Sequence, residues 1–320
     1  MRYKLFGTHT GLYASEIILG GANLGSRKGY GANKEDAQQI LKAYADAGGN
    51  FIDTSDQYQF GESEEIIGKF IEGQRSDFII CTKYTQSSVS SPKISNFGNH
   101  RKAMRQGIEA SLKRLHTDYV DVYMPHYDDG ITPWEEIARG LEDLMNSGKV
   151  LYSGLTNFPA WKASAIAATI PLTAVQIEYN LLQRTAEREF MPMAVQVGLA
   201  TMLYSPLAGG LLTGKYRQGQ TGRLFKDVNG SLQEDLRTKA IIDYLTVVAQ
   251  ELDTTPGQVA FAWILSKDHF PLVGARKLFH LEESLQAARI ELTQQQKATL
   301  DDLSRISMGY PHDLLAEVRG

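Results

Sequence analysis

The sequence predicts an α/β fold, a (β/α)8 TIM barrel with an N-terminal β-hairpin and extra helices, and three observations carry that reading. Eight short β-rich apolar runs recur along the 320 residues, each followed by a helical pattern. Several of the runs are almost continuous in apolar residues, as parallel strands covered on both faces must be. No low-complexity linker divides the chain, so residues 1–320 read as a single domain.

The elements follow in order. "YKLFGTHTGLYAS", turning at Gly7 to Gly11, reads as a hairpin suited to lid the N-terminal end of a barrel. The strand runs are 16–24, 50–55, 77–84, 119–127, 150–158, 172–180, 199–207 and 270–276. Thr132-Pro133-Trp134-Glu135 and Thr255-Pro256-Gly257-Gln258 read as capping boxes with proline at the first helical position, and Ser231-Leu232-Gln233-Glu234 opens another helix in the same way. "TPGQVAFAWILSK" and "TQQQKATLDDLSRI" read as helices beyond the eightfold alternation. The polar, glycine-bearing stretch 214–231 reads as a long functional loop. A doubly wound sheet would carry a glycine fingerprint after its first strand, whereas this first strand ends "GGANLGSRKG", which does not fit G-x-G-x-x-G.

Composition is that of an ordinary globular protein, 42% hydrophobic and 22% charged with a formal net charge of -4. That balance gives no footing to nucleic acid or an anionic membrane as partner. The single cysteine, Cys81, has no intramolecular disulfide partner, the N-terminus lacks the apolar run of a signal peptide, and no stretch is long and apolar enough to span a membrane. A cytoplasmic enzyme or soluble binding protein is expected, with its oligomeric state open.

In such a barrel the active site lies at the C-terminal ends of the strands. Four strand ends stand out: Asp53 with Tyr58, Lys83, His126, and the pair Thr156-Asn157. A tyrosine is a poor acid near neutral pH, because its reference pKa is about 10. A nearby ammonium lowers that pKa and is itself held by a carboxylate. Tyr58, Lys83 and Asp53 would form such a unit, with His126 polarising a substrate carbonyl. Each residue alone has a plainer role, as a turn cap, a solvated strand end, a satisfied polar group or a cover for apolar surface. Four coincidences at the expected strand tips weaken that reading.

The stretch "NFIDTSDQYQFGESEEIIGKFI" resembles the aldo-keto reductase signature, and the similarity continues through "CTKY", "DYVDVYMPHYDD", "YSGLTNF", "VQIEYNLL", "YSPLAGGLLTGKY" and "VGARKLFHLEESLQA". It covers essentially the whole chain in the family's order, and the branch it most resembles is that of the potassium-channel β-subunits. The resemblance implies a catalytic tetrad of Asp53, Tyr58, Lys83 and His126, with Tyr58 giving a proton to a small-molecule carbonyl substrate and NADPH giving hydride. It further implies that Thr156, Asn157 and Gln176 bond the nicotinamide carboxamide and that Tyr204 stacks on the ring. Ser205, Leu207, Gly209 and its neighbour Gly210 would let backbone approach the pyrophosphate, and Lys215 or Arg223 would close over it. Gly274, Arg276 and Lys277 in "GARK" match the segment that binds the adenosine 2′-phosphate. His280 and Ser284 stand where many members carry glutamine and asparagine. The expected substrate rim is Leu24, Tyr84, Tyr127 and Phe158, an aromatic-rich set suited to hydrophobic or aryl carbonyls. The alternative is a nicotinamide-binding regulatory or redox-sensing subunit with little turnover.

Other motifs fail. "GGLLTGKY" has Tyr216 where a Walker A loop needs Ser or Thr. His126, Asp128 and Asp129 have no second histidine or cysteine at matching spacing, so no metal is expected. Cys81 shares a strand face with Lys83 by period two and reads as packing.

Overall fold

The computed structural model describes residues 1–220, 222 and 234–319. A two-stranded antiparallel hairpin, β1 (Tyr3–Leu5) and β2 (Tyr13–Ser15), precedes eight parallel strands that close into a barrel in chain order. These are β3 (Ile18–Gly20), β4 (Phe51–Asp53), β5 (Ile79–Tyr84), β6 (Val120–Pro125), β7 (Val150–Thr156), β8 (Leu172–Glu178), β9 (Ala200–Tyr204) and β10 (Phe270–Val273), with β10 pairing back onto β3. Each falls inside one of the eight runs expected from sequence.

Helices α1 (Lys34–Asp46), α2 (Glu62–Ile71), α3 (Arg101–Leu115), α4 (Trp134–Asn146), α5 (Ala160–Ala167) and α6 (Phe190–Val197) each follow a strand. Among the described residues, α7 (Leu236–Glu251) and α8 (Pro256–Leu265) lie between β9 and β10, and α9 (Leu278–Ala287), α10 (Gln294–Leu303) and α11 (His312–Arg319) follow β10.

Side chains alternate between the two faces of each strand, and this parity builds the interior. Ile18, Phe51, Cys81, Met124, Ala174 and Met202 form one buried cluster inside the barrel. Their neighbours Leu19, Ile52, Ile80, Tyr123, Val175 and Leu203 join a second cluster beneath the helices. The hairpin closes the N-terminal end, because Phe6, at its turn end just after β1, sets its ring 5.0 Å from Phe51 and 5.3 Å from Phe270. One inward step further along each strand come Asp53, Lys83, Gln176 and Tyr204. The same periodicity that fills the core therefore delivers polar groups to its upper surface.

Helix caps follow the sequence pattern at α8 and depart from it at α4. Thr255 and Gln258 form the expected box at the start of α8, with Pro256 in the first turn. Thr132 does not cap α4. That helix starts at Trp134 with Pro133 before it, and Thr132 instead donates its hydroxyl and its N–H to the Asp129 carboxylate at 2.7 and 2.8 Å. A charged acceptor three residues upstream takes both donors. The expected start at Ser231 lies outside the described residues, and α7 is capped by Asp235, which accepts from the Thr238 N–H.

Helices α2 and α3 approach closely because Gly68 lacks a side chain. A Cβ there would sit 2.5 Å from the Arg114 carbonyl oxygen and 2.8 Å from the Leu115 Cα. Gly68→Ala is expected to destabilise the fold by about 1–3 kcal/mol through overpacking, read as a lower thermal midpoint. An unchanged midpoint would show that the two helices separate freely.

Candidate active site

The floor of the site is an ion pair sealed from water. Lys83, fully buried, donates from Nζ to both carboxylate oxygens of Asp53 at 2.7 Å and to the Thr54 carbonyl at 2.8 Å. Burial opposes the ammonium, but the charges of Asp53 and its neighbours outweigh it and hold Lys83 above the ordinary lysine range. Gln176 Nε2 donates to Asp53 Oδ1 at 2.8 Å, so one carboxylate gathers β4, β5 and β8.

Tyr58 stands over this pair. The Lys83 ammonium lies 5.2 Å from its ring centroid, and the ring meets the His126 imidazole edge to face at 5.5 Å. The chain reaches this point through a tight turn, with Gln59 and Phe60 in the left-handed region at φ 50° and 55° before Gly61 leads into α2. The phenol pKa is raised, where the sequence reading expected it lowered. Burial raises it most, Lys83 pulls it down, and Asp53 pushes it up again by cancelling the lysine's field. Tyr58 thus stays protonated through neutral pH.

His126 is pushed down to about 3 by burial and by the charges of Lys83 and Lys28, which leaves the imidazole neutral. Ser55 Oγ lies 3.0 Å from its Nδ1. Where the serine donates, the ring proton sits on Nε2, the tautomer able to donate to a carbonyl. Ser55 had no chemistry assigned from sequence, yet it lies two residues after Asp53, and period two places it on the same inward face.

A cleft of about 400 Å³ opens above this floor, lined by Tyr58 and His126 on one side and by Thr156, Asn157, Gln176 and Tyr204 on another. Asn157 adopts φ 56°, accepts from the Tyr204 hydroxyl at 2.9 Å and donates to the His126 carbonyl at 3.0 Å. Thr156 turns its hydroxyl to Met124 Sδ, 3.3 Å away. Ser205, Leu207, Gly209 and Gly274 continue the wall. Gly210, at φ 95°, lets the Lys215 stem lie where a Cβ would be, 2.8 Å from the lysine Cε.

A second cavity of about 520 Å³ shares Leu207, Gly209 and Ser284 with the first and extends past Lys215, Arg276 and His280. Lys277 does not join it. Its ammonium pairs with Asp36 at 2.6 Å, so among the described residues Lys215 and Arg276 are the cations lining this end. Ser284 donates to the His280 carbonyl at 3.0 Å, and the His280 Nδ1 accepts from the Lys277 N–H at 3.3 Å. Arg223 lies outside the described residues.

The expected substrate rim is corrected. Leu24, Tyr84 and Phe158 are buried in the core beneath the helices. Tyr127 is half-buried beside His126 and does not line the cleft. Strand-end aromatics are packing residues here, because parity turns Tyr84 away from the inward face that Lys83 occupies. The cleft is walled instead by Asn23, Lys28 and Tyr30 from the loop after β3 and by Gln57. The glycine-flanked "GSRKGYG" was their signal, read from sequence only as a failed nucleotide fingerprint.

Residues 16–305 match the Aldo/keto reductase family. The chain is 34% identical to the aryl-alcohol dehydrogenase GME11368 of Pestalotiopsis microspora, the alignment covering 98% of this chain and 85% of that protein. It is 32% identical to the aryl-alcohol dehydrogenase [NADP(+)] of Phanerodontia chrysosporium, over 99% and 89%. With the norsolorinic acid reductase of Aspergillus flavus it shares 30% identity, over 98% and 84%. These matches support a family and not the potassium-channel branch within it.

His126 couples the site to stability. An unfolded chain takes up the imidazole proton as pH falls through 6.5, while the folded one resists it until about 3. Its contribution is therefore full above 6.5 and is lost progressively toward about 3. His126→Asn is expected to flatten the fall of the thermal midpoint across that window, and a parallel curve for both proteins would refute the assignment.

Proposed function

Because the chain belongs to the aldo/keto reductase family, whose members are oxidoreductases that use a nicotinamide cofactor, we propose that it reduces aldehydes or ketones to alcohols with NADPH, Tyr58 acting as general acid. The observation that carries this reading is the protonated Tyr58 phenol set over the buried Lys83–Asp53 pair on the floor of the cleft.

The residues present fit the cofactor at both ends. Among the described residues, Gln176 Oε1 has no hydrogen-bond partner although the amide nitrogen is held by Asp53. It is an acceptor suited to a carboxamide N–H. At the far end Lys215 and Arg276 repel each other, and no carboxylate is paired with either among the described residues. A phosphate would relieve that repulsion. When bound, the reduced nicotinamide supplies hydride to the carbonyl carbon. Thr156, Asn157 and Gln176 would orient its ring, Tyr204 would stack on it, and Ser205, Leu207 and Gly209 would admit the pyrophosphate.

Tyr58 gives its hydroxyl proton to the carbonyl oxygen, and Lys83 stabilises the phenolate left behind. His126, kept neutral, donates a second hydrogen bond to the same oxygen and holds it in place. In the reverse direction Tyr58 is the base. The relatives named for aryl alcohols support aromatic carbonyls as substrates. A cytoplasmic location goes with this reading.

Tyr58→Phe is expected to lower kcat for aldehyde reduction by about 10² to 10⁴ while NADPH still binds. Robust turnover in that variant, followed at the nicotinamide absorbance band, would refute the acid assignment. Tight cofactor binding without turnover on any carbonyl would favour the sensing role instead. Arg276→Ala is expected to weaken NADPH about tenfold or more and to change NADH little. Equal losses for the two cofactors would place Arg276 away from the 2′-phosphate.

A further inference from the structure

The loop that carries Lys28 is held tightly against the segment following Tyr58. Glu62 Oε2 accepts from the N–H groups of Ser26 and Arg27 at 2.7 and 2.9 Å, and Gln59 Oε1 accepts from that of Lys28 at 2.9 Å. Arg27 forms a two-point pair with Glu65. Gly31, at φ 112°, closes the loop where a Cβ would meet the Gly25 carbonyl oxygen at 2.1 Å.

The Lys28 side chain points from this clamp into the cleft. Its Nζ donates to Gln57 Oε1 at 3.4 Å and lies 4.8 Å from the Phe60 ring centroid. Among the described residues no carboxylate comes within 4.0 Å of it. Its charge is felt at His126, which places it on the acid's side of the cleft, away from Lys215 and Arg276. Burial disfavours the ammonium, and the charge of Asp56, beyond ion-pair distance, offsets this only in part. A partly buried cation with no carboxylate in ion-pair contact among the described residues, beside the reacting groups, is a site for an anion.

We propose that the substrate is a carbonyl compound carrying a carboxylate, which Lys28 holds while Tyr58 protonates the carbonyl oxygen. This rests on the reductase reading above and names its substrate class. The aldehyde carbon gains hydride and its oxygen gains a proton, NADPH becomes NADP(+), and the carboxylate passes through unchanged. Lys28 and the Gln57 amide supply the donors, and Tyr30 walls the approach.

The test compares para-carboxybenzaldehyde with para-methylbenzaldehyde, two aldehydes of similar shape. The wild-type protein is expected to prefer the carboxylated one in kcat/KM. Lys28→Met is expected to lower that preference about tenfold through KM, and Lys28→Arg to retain most of it. A preference unchanged in Lys28→Met, or absent from the wild type, overturns the proposal. So does a loss of NADPH affinity with the preference intact, because Lys28 would then serve the cofactor. If the wild type reduces neither aldehyde, the reductase reading fails, and binding of para-(hydroxymethyl)benzoate to the NADP(+) complex decides the role of Lys28. Binding by the wild type that Lys28→Met loses supports the carboxylate site, and equal binding by both, or by neither, overturns it.

Discussion

The buried pair of Lys83 and Asp53 is the constraint on which the rest of the site depends. Two charges taken out of water cost several kcal/mol each unless every donor and acceptor finds a partner. Here Lys83 reaches both Asp53 oxygens and the Thr54 carbonyl, and Gln176 supplies a further donor to Asp53. These contacts run between strands β4, β5 and β8, so they hold only while the barrel keeps its register. A one-residue slip of β5 would turn Lys83 out under the helices and leave Asp53 buried without its counter-ion.

Above that pair Tyr58 and His126 are kept uncharged. Burial raises Tyr58 and lowers His126, and the Lys83 charge pushes the histidine further down. The floor therefore presents two neutral donors over a balanced ion pair. An imidazolium beside the ammonium would add repulsion, and a phenolate would have no proton to give. Lys83 matters most after the proton has left, when the phenolate gains from a charge that the neutral phenol hardly feels.

Much of this was legible in the sequence because it follows strand parity. Eight apolar runs located the strands, and polar residues at their ends located Asp53, Lys83 and His126, whereas Gln176 came only from the family resemblance. What escaped were features set by loops. Thr132 carries the pattern of a cap, but Asp129 competes for its donors, and only the folded turn shows which acceptor wins. Lys277 reads as a free cation until α1 brings Asp36 against it. Tyr84 lies on the outward parity and fills the core, and Phe158, which follows the left-handed Asn157 beyond the end of β7, is buried there too. The walls of the cleft come from the loop after β3, whose glycines encode a turn and give no periodic signal.

The division between floor and wall also explains how the loop can serve the chemistry. Gln57, Gln59, Glu62 and Glu65 all lie within the stretch that begins beside Tyr58, and each bonds the segment from Ser26 to Lys28. The acid and the cation are thus referred to one short piece of chain. Their separation is set by hydrogen bonds to a helix start and its preceding turn, without passing through the mobile degrees of freedom of a long loop. A substrate whose carbonyl and carboxylate span that separation would be aligned by both ends at once, because "QYQFGESEE" carries the acid and holds the loop that carries the cation.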